Sequence, residues 1–413
     1  MRILLVGAGG VGTAFARIAA RRKFAELVIA DYDLARAQHA ASTAQGAGAA
    51  AAGAGAAAWP AVQLDARDEQ QVAALLAEHS CDVLMNATDP RFVLPLYRAA
   101  LRAGTHYLDM AMSLSRAHQD QPYSKTGVKL GDEQFALAAQ WEDRGKLALV
   151  GIGVEPGLSD IFARHAADTM FSDIRDVGVR DGANLVVAGY DFAPTFSIWT
   201  TIEECLNPPV IWERDRGWFT TEPFSEPEVF DFPSGIGPVE CVNVEHEEVL
   251  LIPRWVQAQR VTFKYGLGAE FIGVLRTLQK LGLDQVAPVQ AGGVTVSPRD
   301  VVAACLPDPA TLGAKMSGLT CAGTWITGTG KDGGPREVYL HHVVDNDWSM
   351  AEYDSQAVVW QTAVNPVVAL ELIDSGTWSG AGVLGPEALP AQPFLDLLND
   401  YGSPWACEER PPG

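Results

Sequence analysis

Apolar and polar positions over the first 150 residues fall into two alternating textures. Arg2 to Val6 is a short run of Ile, Leu and Val without alternation, the pattern of a strand buried on both faces of a parallel sheet. Val11, Phe15 and Ile18 then recur at i, i+4 and i+7, with Arg17, Arg21 and Arg22 on the polar side and at the end, which predicts a helix. Leu27 to Ala30 is a second strand. Strand-like runs return at Ala61 to Leu64, Val83 to Asn86 and Leu147 to Gly151, with helical patterns at Glu69 to Glu78, Pro95 to Ala103 and Asp132 to Gly145 between them. This alternation predicts a doubly wound α/β unit. The stretch from Ala40 to Ala58, almost wholly Ala and Gly, breaks the rhythm as a loop or a poorly ordered helix.

After Glu155-Pro156-Gly157 the texture changes to longer polar loops, Trp-rich stretches and paired strand candidates such as Val177 to Arg180 and Arg260 to Phe263. The chain therefore divides into an α/β domain over residues 1–153 and a second domain over 154–346. A segment over 347–390, with a helix from Gln356 to Ile373 interrupted at Pro366, returns to the first domain, and 391–413 is a tail. The Trp residues between Trp199 and Trp255 suit either core packing or the contact of a homodimer.

Gly7-Ala8-Gly9-Gly10-Val11-Gly12 fits G-x-G-x-x-G and sits where that motif needs to sit, after a predicted strand and opening a predicted helix. Gly7 permits the tight turn, Gly9 lets the backbone approach a pyrophosphate, and Gly12 lets the helix pack closely on the strand. The free N–H groups of the helix start hold the anion. Asp31, at the end of the second strand, is placed to accept hydrogen bonds from the adenosine ribose hydroxyls and to repel a 2'-phosphate, so Asp31-Tyr32 favours NAD(H), with NADP(H) still possible. Asp65, after the third strand, is a candidate for adenine or an ordinary turn acid. Asn86, Ala87 and Thr88, after the fourth, are candidates to line the ribose and nicotinamide.

Length and charge narrow the rest. A chain of 413 residues exceeds one ordinary core, and 48% hydrophobic with 20% charged residues is the composition of a globular protein. The net charge of -21 argues against nucleic acid and anionic membrane partners. Cys81, Cys205, Cys241, Cys305, Cys321 and Cys407 lack CxxC spacing, so no metal site and no disulfide framework is expected, which fits a reducing cytoplasm. The apolar start mimics a signal peptide, but its glycines suit a phosphate loop better, and no other stretch approaches the length of a membrane span. Neither H-E-x-x-H nor G-x-S-x-G is present.

Several further segments carry a resemblance. Gly153-Val154-Glu155-Pro156-Gly157, Leu306-Pro307-Asp308-Pro309-Ala310-Thr311-Leu312, Gly318 to Trp325, Lys331-Asp332-Gly333, Ser355 to Val358, Gln361-Thr362 and Asn365-Pro366 resemble the saccharopine reductase family, several of them its carboxynorspermidine dehydrogenase branch. The resemblance implies an N-terminal Rossmann doubly wound parallel sheet and an α+β substrate domain with a mixed sheet. It also implies hydride exchange between a nicotinamide cofactor and a carbon bonded to nitrogen, through an imine. The substrate would be a small amino acid or polyamine, either a saccharopine-like or carboxypolyamine secondary amine, or a diamino acid such as lysine undergoing oxidative deamination. Asp31-Tyr32-Asp33 and Phe263-Lys264-Tyr265-Gly266 resemble the lysine dehydrogenases more than the polyamine branch, so the chain falls between branches. A dinucleotide-binding redox sensor without catalysis is the reading from a different class.

Imine chemistry needs a proton donor and a cationic anchor for each substrate carboxylate. Lys264, on a predicted strand, is the leading anchor, ahead of Arg254, Arg260 and Arg299. His246, which begins His-Glu-Glu, and His106 are proton-shuttle candidates. Asp109 and Glu155 fall at strand ends facing the expected cleft. The pair His341-His342 reads as structural.

Overall fold

The apolar runs of the first domain become a parallel sheet because their residues are buried on both faces. In the computed structural model, which describes residues 1–52, 59–402 and 404–411, this sheet contains β1 (Arg2–Val6), β2 (Glu26–Asp31), β3 (Ala61–Gln63), β4 (Val83–Asn86), β5 (His106–Asp109) and β6 (Leu147–Leu149). Helices α1 (Gly10–Arg22), α2 (Leu34–Ala52), α3 (Glu69–Glu78) and α4 (Val93–Ala103) alternate with them. The Ala/Gly run thus continues α2 as far as Ala52, and residues 53–58 lie outside the described residues. The expected helix from Asp132 to Gly145 is divided into α5 (Asp132–Phe135) and α6 (Ala138–Asp143).

The second sheet is mixed. The loop after β6 leads into α7 (Leu158–Thr169), β7 (Phe171–Ala183), the short β8 (Val186–Val187) and α8 (Ile198–Leu206). Then come β9 (Val210–Glu213), β10 (Gly217–Thr220), β11 (Glu228–Phe232), β12 (Gly237–Asn243), α9 (Glu248–Trp255) and β13 (Ala258–Gly266). An excursion through α10 (Gly268–Leu281), the hairpin β14 (Val289–Ala291) and β15 (Val294–Val296), α11 (Pro298–Cys305) and β16 (Met316–Ser317) precedes the long strands β17 (Leu319–Gly330) and β18 (Pro335–Asp345). The central pair, β7 and β13, is parallel, with Val177 beside Val261 and Arg180 beside Lys264, while β17 and β18 extend the sheet antiparallel. Helices α7 and α9 cover one face.

The chain then goes back and forth between the sheets. After α12 (Asn346–Tyr353), α13 (Ala357–Asp374) packs on α1, and β19 (Gly382–Leu384) joins the first sheet beside β6. Helix α13 runs through Pro366 without the expected interruption. Proline removes one intrahelical bond, but the helix is buried nearly all round and the Asn365 side chain donates to the Gln361 carbonyl at 2.8 Å. The last segment is not a free tail: α14 (Ala391–Asn399) packs against α13, and β20 (Trp405–Arg410) closes the mixed sheet at β18.

The final order of the parallel sheet is β19-β6-β5-β4-β1-β2-β3. Strand order reverses between β1 and β4, so the crevice beyond their carboxyl ends is where such a sheet receives a ligand. Among the described residues no helix is long and apolar enough to cross a membrane.

Candidate active site

At the carboxyl end of β1 the backbone turns sharply at Gly7, whose N–H bonds to the Ala30 carbonyl at 2.8 Å. A Cβ on Gly12 would lie 1.9 Å from the Gly7 carbonyl oxygen, so α1 can approach the turn only with glycine there. Nothing lies within 4 Å of the place a Cβ would take on Gly9, which leaves the loop backbone open on the side a pyrophosphate would occupy. That open cradle over a helix N-terminus fits a dinucleotide. Gly10 meets Ala310 of the second domain, 3.4 Å from where its own Cβ would stand, and Val11 beside it is partly buried. Asp31 braces the loop: its carboxylate accepts the N–H of Ala8 at 2.7 Å and of Asp33 at 2.8 Å, while Tyr32 is exposed. Asp65 is held outward by Arg67 at 2.7 Å, whose hydrogen bonds lower its carboxyl to about 2. Asn86 shapes the next loop, its amide oxygen accepting from the Thr88 N–H and hydroxyl, and the Ala87 N–H bonds back to β1.

Asp109 stands at the end of β5, buried, and ties the neighbouring loop to the sheet. Its carboxylate oxygens accept the Gly151 N–H at 2.7 Å and the Gln134 amide at 2.8 Å. Burial pushes its carboxyl up to about 7 against these donors. Glu155 sits in the crossover loop, where Gly157 at φ 136° lets the Gly153 N–H reach the Pro156 carbonyl at 2.7 Å. One Glu155 oxygen is enclosed without a partner, and burial, with the charges of Asp181 and Glu248, raises its carboxyl well above the usual range.

Between the ends of β4 and β5 and the mixed sheet lies a chamber. Pro90, Ala111 and Met112 form its strand-end wall, Leu114 and Leu130 its apolar side, and Trp199, Glu203, Glu204, Glu245 and Glu247 the opposite side. Glu203 is ion-paired with Arg299. Glu245 accepts hydrogen bonds from Ser115 and Asn207, and Glu247 from the Met112 N–H at 3.0 Å. No lysine or arginine neutralises Glu204, Glu245 or Glu247 among the described residues. Glu204 keeps part of its surface open to the chamber, yet protein surrounds it closely enough that desolvation dominates. Burial pushes Glu204 up to about 8 and Glu245 up to about 7, and raises Glu247 as well. A shallow depression beside Met1, Lys23 and Asp82 lies at the opposite, amino ends of the strands and gathers no comparable chemistry.

These raised carboxyls make stability depend on pH. Near neutrality the folded chain keeps protons that the unfolded chain, with ordinary carboxyls, has already released, so raising the pH favours unfolding. The unliganded protein should lose thermal stability from about pH 5 to about pH 8, the span between ordinary carboxyls and the raised values of Asp109, Glu245 and Glu204. A melting temperature that stays level or rises across that span would contradict these assignments.

His246 stacks on Phe263 at 3.8 Å, and its ring nitrogens lie 2.5 Å from Glu248 and 3.2 Å from the Tyr265 hydroxyl. His246, Glu247 and Glu248 are close enough together to suggest metal ligands. However, two ligand atoms on one zinc ion stand roughly 3 Å apart or more, whereas the 2.5 Å contact between His246 and Glu248 is a hydrogen bond.

Two family models tile the chain, the saccharopine dehydrogenase NADP binding domain over residues 3–149 and the saccharopine dehydrogenase C-terminal domain over residues 153–403. The chain belongs to the saccharopine dehydrogenase family. It is an NAD(P)-dependent oxidoreductase acting on CH–NH bonds. A relative from Vibrio cholerae called carboxynorspermidine synthase is 28% identical over 100% of this chain and 98% of its own length. A relative from Synechocystis called carboxyaminopropylagmatine dehydrogenase is 29% identical over 98% of this chain and 96% of its own. The L-Glu-forming saccharopine dehydrogenase of Saccharomyces cerevisiae has the same fold, with a TM-score of 0.67 at 14% identity, covering 99% of this chain and 100% of that one.

Within this saccharopine dehydrogenase fold, the residues singled out from sequence are dispersed. The glycine loop, Asp31 and Asn86 to Thr88 gather at the crevice, and Asp109, Glu155 and His246 border it. Lys264 does not. Phe263 and Tyr265 turn toward His246, so the intervening Lys264 points behind the sheet, where it pairs with Glu228 at 2.7 Å. Burial and the adjacent Arg180 lower its ammonium. Sequence reading missed Glu204, Glu245 and Glu247, although acids embedded in apolar stretches, as in Ile198 to Leu206 and Val244 to Ile252, are a visible signal.

Proposed function

We propose that this enzyme reduces the imine formed between a carboxylated aldehyde and a di- or polyamine, giving a carboxypolyamine, with NAD(H) as the preferred cofactor. The observation that carries this reading is the chamber wall of Glu204, Glu245 and Glu247, acids that have no lysine or arginine partner among the described residues, at the strand ends where the nicotinamide belongs. A buried carboxylate demands a counter-charge, and the distal ammonium of a diamine supplies it. The printed names of the Vibrio and Synechocystis relatives agree with an amine substrate of this kind. Arg91, paired with Asp89 at the chamber rim with its guanidinium 4.3 Å from the Trp199 ring centre, takes the role of carboxylate anchor that sequence reading gave to Lys264, while Arg299 stays with Glu203. Deamination of a diamino acid, which Asp31 and Lys264-Tyr265 favoured, keeps Asp31 and Tyr265 but loses Lys264, whose side chain lies behind the sheet with Glu228.

Bound reduced nicotinamide supplies a hydride to the imine carbon. The chain's own part is to hold the dinucleotide on the Gly9 cradle, fix the distal ammonium on Glu245 and Glu247, and keep water from the imine. NADH oxidation should be fastest with aspartate semialdehyde plus a short diamine. Turnover confined to lysine semialdehyde plus glutamate, or to lysine with NAD, would overturn the reading. Asp31 sets the cofactor preference: Asp31→Ser should narrow the NADH over NADPH ratio in kcat/KM by about tenfold or more, roughly 1.4 kcal/mol of discrimination. An unchanged ratio would remove Asp31 from that role.

A further inference from the structure

We propose that Glu204 is the acid that protonates the imine nitrogen, and that Tyr265, His246 and Glu248 form a hydrogen-bonded line behind it that restores the proton. The assignment rests on the imine-reducing function proposed above. Glu204 lines the chamber, and the Tyr265 hydroxyl donates to its inner oxygen at 3.3 Å. On its far side that hydroxyl meets His246 Nε2 at 3.2 Å. The other ring nitrogen, Nδ1, lies 2.5 Å from Glu248, which in turn accepts the Ser159 hydroxyl at 3.0 Å. The face-to-face stack on Phe263 fixes the plane of the imidazole, so both nitrogens stay aimed along the line.

Each member has the bonding capacity its position requires. A carboxyl with one oxygen facing the chamber and the other accepting from tyrosine can donate outward without losing its inner bond. When the imine nitrogen takes the proton, the Glu204 O–H bond breaks and an N–H bond forms from the nitrogen lone pair. As hydride arrives at carbon, the C=N π pair moves onto nitrogen, and the product is the secondary amine. The Glu204 carboxylate then receives the Tyr265 proton while the tyrosine oxygen receives the one on His246 Nε2. At the same time Nδ1 takes the proton that burial keeps on Glu248, so one proton passes along the line to Glu204, His246 stays neutral, and a solvent proton taken up after the product leaves resets the line.

The surroundings of Glu204 keep it a donor at neutral pH. Among the described residues the groups around it are Glu245, His246, Glu247 and Glu248 from the 245–248 segment, Tyr265 from β13, its helix neighbours Glu203 and Cys205, and Arg299 from α11, which is committed to Glu203. Burial outweighs the opposing pull of His246 and raises the carboxyl to about 8. Asp109 and Glu155 are less suited to the task. Both oxygens of Asp109 are engaged by loop donors, and Glu155 faces Asp181 rather than the chamber.

The test compares wild-type enzyme with Glu204→Gln and Tyr265→Phe in reduction of the amine-derived imine, from about pH 6 to about pH 9.5. Wild-type kcat should fall as the pH rises through about 8. Glu204→Gln should lose about a hundredfold or more in kcat and lose that descending limb, with KM for the amine changed far less. Tyr265→Phe should move the limb to higher pH, because the tyrosine hydrogen bond favours the ionised carboxyl. Difference infrared spectra of the unliganded protein give a second readout: the protonated-carboxyl intensity lost between about pH 7 and about pH 9 in wild type, to which Glu248 also contributes, should be smaller by one carboxyl in Glu204→Gln. NADH binding by the variant shows that it is folded. A wild type that reduces the imine while Glu204→Gln keeps its rate and limb would overturn the relay alone. A wild type that reduces no amine-derived imine would overturn the functional reading and the relay with it.

Discussion

Replacing Glu245 and Glu247 together by glutamine is expected to raise KM for a diamine by roughly a thousandfold, since each charge-assisted bond contributes about 1.5–3 kcal/mol and neighbouring sites do not add fully. Glutamine keeps the shape and can still accept from Ser115, Asn207 and the Met112 N–H, so the chamber walls should stay in place. What disappears is the negative charge. A monoamine of the same length offers no distal ammonium, so its KM should change little, and the ratio of the two KM values reports the charge contact apart from any general damage. Equal losses for diamine and monoamine would mean that these acids maintain the fold rather than read the substrate.

The second large effect concerns the cofactor. Gly12→Ala places a methyl 1.9 Å from one backbone oxygen and 2.9 Å from the carbon that bears it, and neither atom belongs to a flexible side chain that could move aside. The helix start must shift away from the Gly7 turn, and the N–H groups aimed at the pyrophosphate shift with it. NADH affinity, followed by nicotinamide fluorescence, should fall by about a hundredfold or more, the equivalent of roughly 2.7 kcal/mol. The mixed sheet is built from other residues, so its near-ultraviolet signal should persist. Ordinary NADH affinity in this variant would show that the loop does not hold the dinucleotide in the way described.

What could be read from the sequence was local. The unalternating run from Ile3 to Val6, the glycines after it and an acid at the end of the next strand lie within thirty residues, and they specify a turn and a helix start and offer a candidate ribose partner without long-range information. The strand-end rule also led to Asp109 and Glu155, because it needs only the order of strands. The acidic chamber was out of reach for a physical reason. Glu204 comes from α8, Glu245 and Glu247 from the segment before α9, and Met112 from the loop after β5, so only the packing of the two sheets brings them together. Lys264 shows the complementary difficulty. Strand alternation puts it opposite Phe263 and Tyr265, but β13 is buried on both faces here, and the hydrophobic pattern could not tell which face held the site.

The central claim is that a buried acidic chamber recognises a cationic amine, and calorimetric titration of the dinucleotide-loaded enzyme with a short diamine near pH 7 tests it most directly. Glu245, raised to about 7 when unliganded, and Glu247 should ionise as the ammonium enters. Repeated in buffers of different ionisation enthalpy, the titration should therefore show net proton release, reduced in Glu245→Gln together with the affinity. Binding whose heat is independent of the buffer, or release that persists unchanged in Glu245→Gln, would contradict the account.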